Sequence, residues 1–154
     1  MTRNLVPPGT IKQLKCMLNL PQNKKIILFD GVCNLCDSAV QFVIKHDKKD
    51  VFRFASLQSE IGQEIIKHIG IDTQKIDSII LYQPGIAYYY KSEAALEIAK
   101  NLGGLFSFAT IFKILPTALS NVIYDYVAKN RYKWYGKKDS CMIPTLELKS
   151  KFLD

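Results

Sequence analysis

The sequence predicts an α/β fold: a mixed four-stranded sheet in the order β-α-β-α-β-β-α, with extra C-terminal helices. Three observations carry this. Short runs of four to five mostly apolar residues recur at Ile26–Phe29, Val51–Ala55 and Ser78–Tyr82, the length and composition of buried strands. The segments between them repeat apolar residues at helical spacing. Pro84-Gly85 then turns the third strand back into a fourth, Ile86–Tyr90, as an antiparallel hairpin.

Taken in order, Ile26-Ile27-Leu28-Phe29 lacks polar alternation, so it belongs in a sheet covered on both faces. Val40, Val43 and Ile44 lie at helical spacing within Asp37–His46, with Ala39 and Phe42 widening the apolar face. Ser59-Glu60 opens a second helix carrying Ile61, Ile65, Ile66 and Ile69, and Gly70 is its stop signal. Ser92-Glu93 is expected to cap a third helix, with Ala95, Leu96 and Ala99, that ends at Gly103-Gly104. Pro116 divides the remaining helical chain into Leu105–Leu115 and Thr117–Lys129. Strands joined through a helix are parallel with a right-handed crossover, whereas the hairpin is antiparallel.

The 154 residues suit one domain, with residues 1–25 an N-terminal extension and 105–154 a helical C-terminal extension. Apolar residues at 48% and charged residues at 23% provide for a core that needs no disulfide staples. The four cysteines, at 16, 33, 36 and 141, are too sparse for a secreted disulfide scaffold and fit a reducing compartment. Pro7, Pro8, Lys12, Lys15 and Pro21 break up the N-terminus, so no signal peptide is expected. Leu102–Leu115 carries Lys113 and falls short of the ~20 apolar residues a membrane span needs. The expectation is a cytoplasmic protein with no membrane partner. Its net charge of +7 comes from scattered cations, densest at Lys129, Arg131, Lys133, Lys137 and Lys138. These alternate with Tyr132, Trp134 and Tyr135, a pattern that single-stranded nucleic-acid binders use. Without a nucleic-acid motif the plainer account is a solvated helix end, with cations suited to the helix dipole.

Chemistry concentrates in Asp30-Gly31-Val32-Cys33-Asn34-Leu35-Cys36, where the first strand hands over to the first helix. A C-x-x-C pair beside a βαβ pattern marks a thioredoxin-like redox site. The spacing puts Cys33 beside the first helical turn and Cys36 about one turn later, so that the sulfurs can close a small ring. Unpaired N–H groups and the positive end of the helix dipole favour a thiolate at Cys33. Cys33 is therefore expected to attack, and Cys36, the more enclosed sulfur, to resolve the mixed disulfide. Asp30 is a candidate proton acceptor during resolution and equally a candidate for bonding the turn around Gly31. Dithiol exchange needs no bound cofactor, and the partner is a disulfide- or thiol-bearing substrate, protein or small molecule.

Other readings compete. The pair can be half of a zinc site completed by Cys141 and His46 or His68, although structural zinc sites usually show a second close ligand pair. The protein would then be a non-catalytic binding module. A basic, aromatic tail acting as an adaptor beside an idle dithiol is a further alternative. Phe29-Asp30-Gly31-Val32 also has the outline of an aspartyl phosphatase motif, but Val32 stands where that chemistry needs a second Asp.

Ile27–Cys36 closely resembles the opening motif of the DCC family of thiol-disulfide oxidoreductases, named for its Asp-x-x-Cys-x-x-Cys pattern. The resemblance continues through Phe52–Ser59 and returns in Tyr124-Asp125, Asn130–Lys137 and Cys141–Pro144. It implies a thioredoxin-like fold, Cys33 and Cys36 as the redox pair, and Asp30 as the accompanying acid. One departure concerns the substrate groove: thioredoxin-like proteins place a cis-proline before the third strand, where this chain has Lys75-Ile76-Asp77-Ser78.

Elsewhere, Cys141 is read as a buried apolar residue in preference to a third redox thiol. Arg131 is read as the ion-pair partner of Asp125 in preference to an anion site formed if the tail folds back over the dithiol. Trp134 and Tyr135 are expected to anchor the tail on the core.

Overall fold

The computed structural model describes residues 4–5, 20–21, 23–72, 79–137, 139, 146 and 148–153. The strands are β1 (Asn4–Leu5), β2 (Lys25–Phe29), β3 (Phe52–Ser56), β4 (Ile80–Gln83) and β5 (Ala87–Tyr90), in the spatial order β1-β5-β4-β2-β3. β2 pairs parallel with β3 and antiparallel with β4, and the β4–β5 hairpin is antiparallel. The mixed four-stranded sheet expected from the sequence is therefore present. The two-residue β1, from the N-terminal extension, lengthens it along the edge of β5.

Among the described residues, four α-helices accompany the sheet: α1 (Asn34–His46), α2 (Glu60–Ile69), α3 (Lys91–Leu102) and α4 (Thr117–Tyr135). β2 is buried on both sides because its side chains alternate between two cores. Ile26 and Leu28 face Ile65, Ile66 and Ile69 of α2, together with Leu20 and Tyr82. Ile27 and Phe29 face Val40 and Val43 of α1, Ala94 and Ile98 of α3, and Phe152. Burial on both faces explains why this run shows no polar alternation.

The ends of α2 form as their sequence signals predict. Ser59 Oγ accepts the Gly62 N–H, and Gly70 adopts φ 70° while its N–H reaches the carbonyls of Ile66 and Lys67. α1 begins at Asn34, three residues earlier than its apolar spacing indicated, so Cys33 itself is the N-cap residue. At its other end the buried Asp47 carboxylate accepts the N–H groups of Val51 and Phe52, which fixes the entry into β3.

Other boundaries differ from expectation. α3 starts at Lys91 directly off β5, and Ser92 donates instead to Asn121 Oδ1 on α4, so it is not a cap. Gly104–Ile114 is a 3₁₀ helix rather than an α-helix. α4 runs on past Lys129 to Tyr135. Trp134 and Tyr135 are exposed, so they do not anchor the tail. Phe152 anchors it instead. This residue bridges to Phe54 beside β3, and its ring packs 5.6 Å from that of Phe54 and 6.1 Å from that of Phe29. The Lys75–Ser78 stretch, Cys16 and Cys141 lie outside the described residues.

Gly62 is where α2 presses on β3. A Cβ at this position would sit 2.0 Å from the Ser56 carbonyl oxygen, and backbone cannot easily retreat. Gly62→Ala is expected to destabilise the protein by ~1–3 kcal/mol through overpacking, read as a lower urea midpoint with an unchanged m-value.

Candidate active site

β2 ends at Phe29, and the chain turns through Asp30, Gly31 and Val32 into α1. Cys33 holds extended φ/ψ (−95°, 119°) at the N-cap, and its carbonyl accepts the Asp37 N–H. Cys36 follows in the first turn. Both cysteines are free thiols, 3.4 Å apart.

Asp30 organises the junction. Its buried carboxylate accepts the Val32 N–H (3.2 Å) and Gln58 Nε2 (2.9 Å) through Oδ1. Oδ2 accepts Arg131 Nη2 (3.0 Å) and the Tyr132 hydroxyl. Gln58, from the β3–α2 connection, also accepts the Gly31 N–H, so both sides of the turn are tied to one amide. Asp30 thus makes the turn contact foreseen for it. It also makes a second, charged contact that no local pattern foretold.

Arg131 is that second contact, and here the sequence expectation fails. Asp125 pairs with Lys91, while Arg131 lies almost wholly buried against Asp30. Its Nη1 reaches Cys36 Sγ at 3.8 Å, and its guanidinium stacks over the Tyr132 ring at 4.7 Å. One cation therefore bridges the carboxylate and the dithiol. The local sequence marks neither Tyr132 nor Gln58 as a site residue. The only signal for either was membership of the motifs around Phe52–Ser59 and Asn130–Lys137.

Relative exposure of the two thiols reverses the prediction. Cys33 has no exposed surface, whereas Cys36 is partly exposed. Covering comes from the end of α4: an isolated antiparallel bridge joins Cys33 to Lys137, and Asn34 Nδ2 donates to the Tyr135 carbonyl at 2.8 Å. Cys36 instead faces an apolar pocket of about 370 Å³ between α1, α3 and α4, whose wall includes Val43, Ile98, Phe106, Val127 and Arg131.

Burial, reinforced by the neighbouring Cys33, pushes the Cys36 thiol up to about 12, and the opposing pull of Arg131 is the weaker effect. Burial likewise raises Tyr132 to about 12, helped by its bond to Asp30, so the phenol remains a donor.

Neither histidine turns toward the dithiol. His46 Nδ1 contacts the Phe42 carbonyl, with its ring against Phe106, and His68 packs edge-on to Tyr82. Among the described residues, no three His, Cys, Asp or Glu side chains gather to hold a metal ion.

A C-x-x-C pair at the strand-to-helix junction of a mixed α/β sheet defines the class as thioredoxin-like. More narrowly, the chain belongs to the DCC1-like thiol-disulfide oxidoreductase family, whose model matches residues 27–137, from β2 to the residue bridged to Cys33. It is 43% identical over 129 residues to the uncharacterized protein YuxK of Bacillus subtilis (strain 168), covering 84% of this chain and 93% of that one. It is 40% identical over 119 residues to a DCC family protein of Arabidopsis thaliana described as chloroplastic, covering 77% of this chain and 69% of that one. No solved structure matches the chain.

Two outcomes follow from this geometry. Arg131→Ala leaves the Asp30 carboxylate buried without its cation and should cost ~3–5 kcal/mol in urea unfolding. Combining it with Asp30→Asn should cost clearly less than the two single losses added together. Cys36 and Tyr132 both hold their protons more tightly in the folded protein than in the unfolded chain. Their stabilisation is therefore complete below about pH 8.5, where unfolded Cys begins to ionise, and declines as pH rises toward 12. Cys36→Ala should flatten that alkaline decline.

Proposed function

We propose that this protein is a thiol-disulfide oxidoreductase that exchanges two electrons between a substrate and the Cys33–Cys36 dithiol, without a bound cofactor. The observation that supports it is the pair of free thiols 3.4 Å apart at the start of α1, near enough for a disulfide to form between them. Family membership supports the same redox role.

Roles within the pair follow from comparing two costs. A thiol with the proton affinity of Cys36 is ionised to about one part in 10⁵ at pH 7. An ordinary cysteine is itself only about 3% ionised, and the greater nucleophilicity of so basic a thiolate recovers roughly 30-fold more, leaving a deficit of about 10². Cys33 is instead hidden, and uncovering it means opening the Asn34–Tyr135 hydrogen bond and the bridge to Lys137. Two such bonds cost ~1–3 kcal/mol, or about 5- to 150-fold. Over most of that range Cys33 attack after the α4 end lifts is the cheaper route, so we assign Cys33 as the nucleophile and Cys36 as the resolving thiol. Attack forms a Cys33–substrate disulfide and releases the first substrate thiolate. Cys36 then attacks Cys33 Sγ, closes the Cys33–Cys36 disulfide and releases the second.

Asp30 serves this chemistry through Arg131. With four donors already on its carboxylate, it holds the guanidinium against Cys36, where positive charge favours the thiolate needed for resolution. The apolar pocket beside Cys36 leaves room for a small apolar group of the substrate. A pair of free thiols suits a reducing compartment such as the cytoplasm.

Equilibration against glutathione buffers tests the proposal. Mild oxidation should lower the intact mass by two hydrogens, Cys33→Ser should abolish exchange, and Cys36→Ser should trap a mixed disulfide on Cys33. A pair that stays reduced across the whole cellular range of potentials would sink the oxidoreductase reading.

A further inference from the structure

The largest feature that the redox chemistry leaves unused is an apolar surface between α3 and the end of α4. In the 3₁₀ helix Gly104–Ile114, residues three apart eclipse one another, since this helix has 3.0 residues per turn. Leu105, Phe108, Ile111 and Ile114 therefore stand in one row, spaced by ~6 Å along a ridge of ~18 Å. Their exposures are 78%, 64%, 59% and 83%. The chain continues into α4, where Leu119, Val122, Ile123 and Tyr126 are exposed as well. Isolated exposed apolar residues are ordinary, but a run of eight large ones within 22 residues marks a contact surface.

Charge indicates what it contacts. Between Gly104 and Lys137 the only acidic residue is Asp125, and it is already paired with Lys91. Lys129, Lys133 and Lys137 are exposed toward the end of α4. Near them the exposed Trp134 ring packs against Tyr126 at 5.7 Å. An apolar ridge followed by aromatic rings and lysines is the arrangement that seats a peripheral protein in the headgroup layer, with rings at the interface and cations on anionic lipid.

We infer that the 3₁₀ ridge and the outer face of α4 bind the surface of an anionic lipid bilayer. Contact is with the surface, because among the described residues no helix is long and apolar enough to cross a membrane. This departs from the sequence expectation of no membrane partner. A second copy of the chain fits less well. It would bring two +7 molecules together with their exposed lysines beside the contact, whereas anionic lipid supplies the opposite sign. A single projecting row also needs no complementary groove to enter a bilayer.

The experiment uses the full chain with phosphatidylglycerol/phosphatidylcholine vesicles and with pure phosphatidylcholine vesicles. Wild type should co-sediment with the anionic vesicles and several-fold less with the neutral ones. Raising the salt from about 0.1 M to about 1 M should weaken binding, because the screening length shrinks from ~10 Å to ~3 Å. Phe108→Asp with Ile111→Asp should reduce binding by about tenfold per side chain. Trp134 is the only tryptophan of the chain, so wild-type fluorescence quenched by brominated lipid reads the α4 contact directly, whatever the variant's stability. Several results would overturn the inference: wild type left in the supernatant with anionic vesicles, unquenched Trp134, or a folded double variant that binds as tightly as wild type. Light scattering that finds a lipid-free dimer dissolved by the double variant would assign the ridge to self-association instead.

Discussion

A carboxylate buried at the end of the central strand needs compensation. Asp30 receives it from Arg131, 101 residues later in the chain. Desolvating a carboxylate and a guanidinium costs several kcal/mol per ion unless each finds the other and its remaining hydrogen bonds. Both conditions hold here, with Val32, Gln58 and Tyr132 completing the shell around Asp30. The pair therefore does more than neutralise charge. It draws α4 across the start of α1, and that placement covers Cys33, sets a cation against Cys36 and closes one end of the apolar pocket.

The dithiol owes its asymmetry to the same placement. By local geometry alone the N-cap sulfur should be the exposed one and the sulfur a turn later the enclosed one. The end of α4 inverts this by bridging Lys137 to Cys33. The proposed nucleophile is thus covered and stands beside a strongly protonated partner, and under the proposed mechanism the few bonds of the α4 end are the barrier to its use. The same contacts tie the dithiol to the helix whose outer face is apolar and basic.

Much of the architecture was legible wherever its cause is local. The unbroken apolar run of β2 told of burial on both faces, and Ser59 and Gly70 marked both ends of α2. The Pro84-Gly85 turn marked the β4–β5 hairpin. Errors fell where a distant contact overrode a local signal. Ser92 has the chemistry of a cap but bonds Asn121 on α4. Gly104–Ile114 has an apolar pattern that suits either helix type, and it is wound as 3₁₀. Phe152 sits in a short polar C-terminal stretch with no periodicity, yet it fills a gap beside Phe29 and Phe54.

By itself the sequence determined the four main strands of the sheet, the strand-to-helix junction and the presence of two cysteines at the start of a helix. Each depends on neighbours within a few residues, whose backbone preferences and apolar spacing are written in order along the chain. Tertiary structure decided which cation answers Asp30, which sulfur is hidden and which faces a pocket. Those outcomes arise from burial and electrostatics among groups a hundred residues apart. Desolvation acts on whatever the fold brings together, and linear spacing carries no record of that.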